Sequence, residues 1–496
     1  MSLTSNPRPG PSRSPLARLA RWVFRWQTLR RTLLGLAWLI TLAAAFVTGV
    51  NVHGQRAWRV YQRQALARGD RLDVASLAPR AVPDEQNFAM TPLLAPLFEY
   101  QVQRGRGGVW RDSKAVNRLT QLNIAGGANH PGTGSWRAGE LADLSAWQAH
   151  YRKLPDFPGN PQPQSPGADV LLALSKFEAE IAELRLASER PQARFPLHYE
   201  EGIFMLFPHF PAVLNLLRVA QLRALAELAQ GQMDAALADA RLALRLAESL
   251  RDEPLLVAQL KRAVFLELAL QPLWEGLARH RWSDNHLRQW EQDLAKVDLL
   301  PGLEQAVHYE RNWAVGHSLP GYPWVFSGYI KGNQAIMGQI LEERLLPIVR
   351  AREHRVDVGR IRSDLTRPAS QPRLTLYFGR HLAGLLMPAV ARSAISLSAR
   401  QVAVDQARIA CALERYRLRH QQLPDTLEVL QPEFIERLPH DLVTGQPMRY
   451  RRHETGGFTL YSVGLNAVDD GGQPAWRSGP IKNPDFERGD WAWSQP

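Results

Sequence analysis

Imidazole and carboxylate side chains recur in two matching tripeptides, His198-Tyr199-Glu200 and His308-Tyr309-Glu310, with His209 and His317 nearby in sequence. Both groups can ligate zinc or iron. Neither set has the i, i+4 histidine pair that puts two ligands on one helical face, and among 14 histidines some proximity arises by chance. A hydrogen-bonded structural role is therefore expected for both tripeptides. Glu310-Arg311, inside a predicted helix, reads as an ion pair within or between helices rather than as a catalytic acid. The single cysteine, Cys411, sits among apolar and charged residues of a predicted helix, where a buried thiol is expected. The chain has no G-x-S-x-G elbow, phosphate-binding P-loop or G-x-G-x-x-G turn, so the sequence assembles no catalytic constellation.

What positions these residues begins with Thr32–Val50, nineteen residues without a charge. As a helix this run crosses a hydrocarbon layer of about 30 Å. Seven arginines and no acid precede it (Arg8, Arg13, Arg18, Arg21, Arg25, Arg30, Arg31), against four arginines in the next twenty residues. The bias puts the N-terminus on the cytoplasmic side and the bulk of the chain across the membrane. A cleaved signal peptide is the rival reading, since Ala43-Ala44-Ala45 resembles a cleavage site. The apolar run exceeds the usual signal-peptide core, and an uncleaved signal-anchor is expected.

The net charge of +12 invites a nucleic-acid reading, but the first 31 residues carry +7 of it. The remainder is mixed in sign along helical segments, so no nucleic-acid partner is expected. Membrane topology and anionic headgroups account for the basic arm. One cysteine excludes an intramolecular disulfide framework and a cysteine-rich metal site.

Beyond the anchor, residues 53–167 are broken by proline and glycine and end in the proline-rich stretch Leu154–Gly167; they read as an irregular wrapping segment. Ala168–Glu189 has helical apolar spacing, and about Ala212–Val297 forms a long helical block. Within it, Gly231 separates two amphipathic stretches, with small residues at Ala236, Ala240 and Ala243. Residues 221–248 resemble one tetratricopeptide-type hairpin, with Glu248 where that motif closes on proline. The helical body extends over 168–359, and a polar linker follows at Arg360–Pro372.

The C-terminal stretch differs in pattern. A helix carrying Val402, Ile409, Leu413 and Tyr416 on one face ends near Arg419-His420, and QLPDT starts a short helix over Thr426–Leu430. Met448–Arg452 and Phe458–Val463 are predicted strands of a hairpin, followed by NAVDDGG and RGDWAW as a closing Asp/Gly-rich loop. The ordered set ALERYRLRHQQLPDTLEVLQP, LPHDLVTGQPMRY, FTLYSVGLNAVDDGG and GDWAW resembles the globular part of the major pseudopilin of type II secretion systems, over about Leu386–Trp493. That resemblance implies a long helix packed on a small antiparallel sheet, with a calcium-binding loop after the hairpin. The matching loop is Leu465–Gly472, so the implied calcium ligands are Asp469, Asp470 and Asp490. A pseudopilin begins with a processed, wholly apolar helix. Here the corresponding stretch lies deep in the chain, and its uncharged core, Leu382–Ala391, is too short to span.

The expected architecture is thus mainly α: a basic cytoplasmic arm (1–31), a single transmembrane helix (32–52), the wrapping segment (53–167), a periplasmic helical-hairpin body (168–359) and a small α+β pseudopilin-like domain (373–496). The expected function is a binding or assembly component of a bacterial inner membrane. Its partners would be membrane lipid and, by the resemblance, secretion or pilus-like proteins. The alternative is a membrane-anchored periplasmic enzyme of hydrolase type, with its site between the helical body and residues 70–165.

Overall fold

The computed structural model describes residues 26–70, 72, 78–103, 107–120, 122–124, 130–316, 324–366, 379–454, 456–479 and 482–496. Most of the basic arm, His317 and most of the linker after 366 lie outside these residues. The chain is mainly helical, with an apolar N-terminal helix and strands concentrated at the C-terminus.

Helix α1 (Trp26–Ala67) runs through the charge-free stretch and on for four more turns. None of its most apolar window is buried by protein. Its threonines leave no side-chain donor exposed along the run. Thr41 Oγ1 donates to the Ala37 carbonyl at 2.8 Å, and Thr48 Oγ1 to that of Ala44 at 2.7 Å. Polar groups satisfied within the helix are what hydrocarbon demands. The helix is long and apolar enough to span a membrane.

The wrapping segment is more structured than its composition suggests. It contains a hairpin, β1 (Tyr100–Gln103) and β2 (Gly107–Trp110), and two short helices, α2 (Ser113–Thr120) and α3 (Leu144–Tyr151). The predicted helix 168–189 is two: α4 (Pro166–Leu174) and α5 (Glu178–Ser188). Between them the Ser175 hydroxyl turns back to the Leu172 carbonyl at 2.7 Å, a local bond that competes with helix continuation.

The body is built from α6 (His209–Gln230), α7 (Met233–Glu248), α8 (Leu256–Ala278), α9 (Asp284–Leu294), α10 (Leu300–Gly316) and α11 (Ser327–Arg344). Gly231, at φ 76°, closes α6 in the left-handed conformation that glycine adopts without strain, and α7 folds back as the spacing predicts. Ala236, Ala240 and Ala243 are buried. Glu248, at the tetratricopeptide proline position, instead receives both arms of the fully buried Arg262, at 2.8 and 2.9 Å. A small hairpin, β3 (Val349–Arg350) with β4 (Arg355–Val356), and helix α12 (Val358–Thr366) follow.

Helix α13 (Gly379–His420) ends where the sequence places it. The predicted helix at 426–430 is a single 3-10 turn, Glu428–Leu430. Strands β5 (Arg449–Arg452) and β6 (Phe458–Ser462) pair antiparallel with Arg449 opposite Tyr461. The closing segment is not loop throughout. It forms a second hairpin, β7 (Pro474–Arg477) with β8 (Asn483–Gly489), and then β9 (Trp491–Gln495), which pairs with β6 to give a three-stranded sheet in the order β5-β6-β9. Trp491 and Trp493, two apart on β9, are buried, and Gln406 of α13 donates to the Trp491 carbonyl at 2.6 Å.

One apolar core runs from Phe88 to Trp493, so the units expected at 53–167, 168–359 and 373–496 share it. Trp136 of the wrapping segment packs at a tilt of 37° on Trp493, with ring centroids 4.7 Å apart. Trp274 of α8 donates to the Ser494 carbonyl at 2.9 Å. Arg408 and Arg415 of α13 pair with Glu291 and Asp284 of α9.

Where α1 meets the body, small residues allow backbone approach. A side chain at Gly54 would strike the Gly328 carbonyl, and one at Gly328 would strike Asn51. Asn51 caps this junction: its amide donates to the Val325 carbonyl and its oxygen accepts from Tyr329 N at 3.0 Å. Further along, Gly338 makes room for the Tyr61 ring, and Lys331 lies 4.4 Å over Trp58. Arg311 of α10, buried, reaches Asp70 at 3.2 Å and Glu342 at 3.8 Å. The ion pair expected at Glu310-Arg311 is therefore made between elements, by Arg311 alone.

Candidate functional site

Helix α6 starts at His209, and its imidazole is fully buried. Nε2 lies 2.9 Å from a carboxylate oxygen of Glu253, a residue of the turn between α7 and α8. Aromatic rings enclose the pair. Phe195 stacks at 4.3 Å, with Phe210 at 4.4 Å and Phe98 at 5.8 Å between centroids. Tyr199 stands beside them, its phenol pushed up by burial and then by the Glu253 charge. Tyr309 comes to 6.1 Å from the Tyr199 ring, with its own phenol raised to about 12 by burial and the Glu310 charge. Neither hydroxyl has a hydrogen-bond partner among the described residues, and neither do the two His209 ring nitrogens or the two Glu253 carboxylate oxygens, whose 2.9 Å contact lacks hydrogen-bonding geometry.

The structure thus brings together the central tyrosines of the two tripeptides and His209, but not their histidines. His198 packs edge-on to Tyr100 at 5.1 Å. His308 is held below its ordinary value by burial and Arg311. Glu310 is half-buried, its carboxyl raised by desolvation, and accepts from Leu256 N at 3.4 Å. Among the described residues no three His, Cys, Asp or Glu side chains converge on a metal position. Glu253 was missed by sequence reasoning; an acid in the turn Arg251-Asp252-Glu253-Pro254 looks like a solvated loop residue. Chemically, a histidine against a carboxylate can hold and pass a proton, and polar atoms buried without partners are costly in a low-dielectric surrounding. Cys411 is fully buried, and burial pushes its thiol up, away from nucleophilic use.

The aspartates of the C-terminal loop lie between β6 and β9. Asp469 pairs with Arg449 of β5 and accepts from Gly471 N at 3.0 Å. Asp470 accepts from the Asn466 amide at 2.8 Å. Asp490 is buried and accepts from Gly472 N at 2.6 Å; burial, with the charges of Asp470 and Asp469, pushes its carboxyl up. Among the described residues its Oδ1 is buried without a partner, the one oxygen of the three residues that fits a cation on this ground. The other two carboxylates are committed to Arg449 and Asn466, so the residues implied for calcium do not form a ligand set in this arrangement.

Beside this loop region an open recess of about 280 Å³ lies between α13 and β8, lined by Arg392, Arg400, Arg477, Phe486 and Glu487 among others. Glu267 of α8 is pinched behind it by Arg137 and Arg400; burial raises its carboxyl, but the two guanidiniums overcome this and hold it low. No protein-family model, curated protein or solved structure matches the chain.

Proposed function

We propose that this protein is a membrane-anchored binding or assembly component on the periplasmic face of a bacterial inner membrane, serving a type II secretion or pilus-like apparatus. The observation that supports this reading is the order of the C-terminal elements. A long helix, α13, lies on the antiparallel sheet β5-β6-β9, with an Asp/Gly loop and the β7–β8 hairpin between the last two strands. The helix on a small antiparallel sheet is the part of this order that supports the pseudopilin resemblance, here built onto a helical body that also grips α1. The part of α13 from Met387 onward packs into the core, as suits a pilin-like unit used as a fixed domain rather than as a polymerising subunit. Fold alone does not carry function. The test is a photo-crosslinker placed at Arg477, on the recess, with a control at exposed Leu186. Adducts with pilin-like or secretion-channel subunits from the first position only are the expected result. Identical adducts from both positions, or none with such subunits, would overturn it.

The alternative, a membrane-anchored hydrolase, is favoured by the buried His209–Glu253 pair beside Tyr199, at the border of the body and the wrapping segment. It predicts hydrolysis of ester or peptide substrates by the purified chain, lost in His209→Ala with the far-ultraviolet circular dichroism unchanged.

A further inference from the structure

The junction between α1 and α11 leaves an apolar feature that, among the described residues, neither the body nor α1 covers. The turn Trp324–Phe326 precedes α11, and its Val325 and Phe326 side chains are 37 % and 41 % exposed. Phe326 and Tyr329 close a recess of about 210 Å³ with Phe46, Val47, Val50 and Asn51 of α1. Single exposed apolar residues are ordinary on protein surfaces. These are not single: they continue the exposed apolar surface of α1, where Phe46 is 61 % exposed.

Height decides what meets them. Val50 ends the apolar run, with the polar Asn51, His53 and Gln55 following before Arg56, and Phe46 lies four residues, about 6 Å, deeper along the helix. Residues that line a recess with Phe46 and Val50 are therefore level with the last turn of the span. Just above come Arg56 and Arg59, both exposed on α1, and Lys331 on α11, the cations that anionic headgroups would meet. The rigid Gly54–Gly328 approach fixes this level, because neither helix can slide without a backbone clash.

We infer that Val325 and Phe326 form a second membrane contact, inserted at the boundary between phospholipid headgroups and acyl chains, with the recess taking up acyl chain. The inference rests on α1 crossing the membrane. It makes the body a platform held at a fixed height and tilt on the bilayer rather than a domain swinging from a tether.

Single-cysteine labelling tests it on the full-length chain in phospholipid nanodiscs, since native Cys411 is fully buried. An environment-sensitive fluorophore is placed at Leu39→Cys, Phe326→Cys, Val325→Cys and exposed Val429→Cys, and quenching by lipid-borne nitroxide is read. The expected result is loss of most emission at positions 39, 325 and 326 and none at 429. Nitroxide near the headgroup should act more strongly on 325 and 326, and nitroxide deep in the chain on 39. Quenching at 39 with 325 and 326 behaving like 429 overturns this inference and leaves the span standing. Absence of quenching at 39 overturns the span itself, and the inference with it. Shielding of 325 and 326 from both nitroxide and aqueous iodide would mean that a protein neighbour, not lipid, covers them, and would also overturn it.

Discussion

Two helices of this chain are each 42 residues long, and they meet opposite fates. Helix α1 carries nineteen consecutive uncharged residues that are exposed except at Val47 and Val50, and among the described residues its protein partners begin at that end of the run. Helix α13 alternates apolar with charged residues, and in its described part charges are met by distant partners. Arg400 pairs with Glu267, Arg408 with Glu291, Arg415 with Asp284, and Asp405 with His354. An unbroken apolar surface has no protein surface shaped to cover it and is suited to hydrocarbon. A mixed surface is suited to a core only because neighbours far away in sequence supply the matching charge.

The largest expected break in this contrast is at the sheet end of α13. Trp493→Ala removes a ring packed between Trp136 and the α13 side of the core, and should cost about 3–5 kcal/mol. Trp38→Ala, on the exposed face of α1, should leave the unfolding of the body unchanged. Both are read from denaturant unfolding of the detergent-solubilised chain.

Next comes the α1–α11 junction. Gly328→Leu forces the two backbones apart and should cost about 1–3 kcal/mol or more, with new protease cleavage near residue 70. Gly35→Leu meets nothing within 4 Å and should have no such effect.

A smaller effect concerns pH. His354 lies 3.1 Å from the buried Asp405 of α13 and 3.8 Å from Asp298. Burial opposes its charge, but the two carboxylates, Asp298 and the hydrogen-bonded Asp405, outweigh burial and raise it from 6.5 to about 9. The folded chain therefore holds this proton more tightly than the unfolded one. Its stabilisation is complete below pH 6.5 and is lost as pH rises through about 9. The loss should be on the order of 1–2 kcal/mol, given partial exposure, and His354→Gln should flatten the stability profile over that window.

The smallest effect is expected at the aspartate loop. With Asp469 held by Arg449 and Asp470 by Asn466, millimolar calcium should not move the melting temperature of the full chain. A rise abolished by Asp469→Ala would show that the loop exchanges its protein partners for the cation.

Much of the local structure is legible in sequence because its causes are local. The charge-free run, the Gly231 turn of the α6–α7 hairpin, the end of α13 at His420 and the β5–β6 hairpin all follow from residues within a few positions. What stays hidden depends on distant partners. Gly54 and Gly328 are unremarkable until the two helices meet. Gln271 on α8 looks like a surface glutamine, yet it accepts from Trp136 N at 2.6 Å, 135 residues away. Trp491-Ala492-Trp493 follows a run of Asp and Gly and reads as loop. It is a strand because β6 offers an edge and α13 offers Gln406. The candidate site divides in the same way: His209 is drawn out by its type, whereas Tyr199 and Tyr309 enter only as the middle residues of the two tripeptides and Glu253 becomes visible only once the turn after α7 is folded over His209.

The central claim is that α1 crosses the membrane and carries the whole body on one side. Labelling with a membrane-impermeant maleimide tests it most directly, using Ser5→Cys in the basic arm and Val429→Cys on the body in cells whose outer membrane has been made permeable. The account predicts that position 429 reacts at once, that position 5 reacts only after the inner membrane is opened, and that alkaline washing leaves the chain in the membrane. Reaction at position 5 with protection at 429, or release of the chain by the wash, would contradict it.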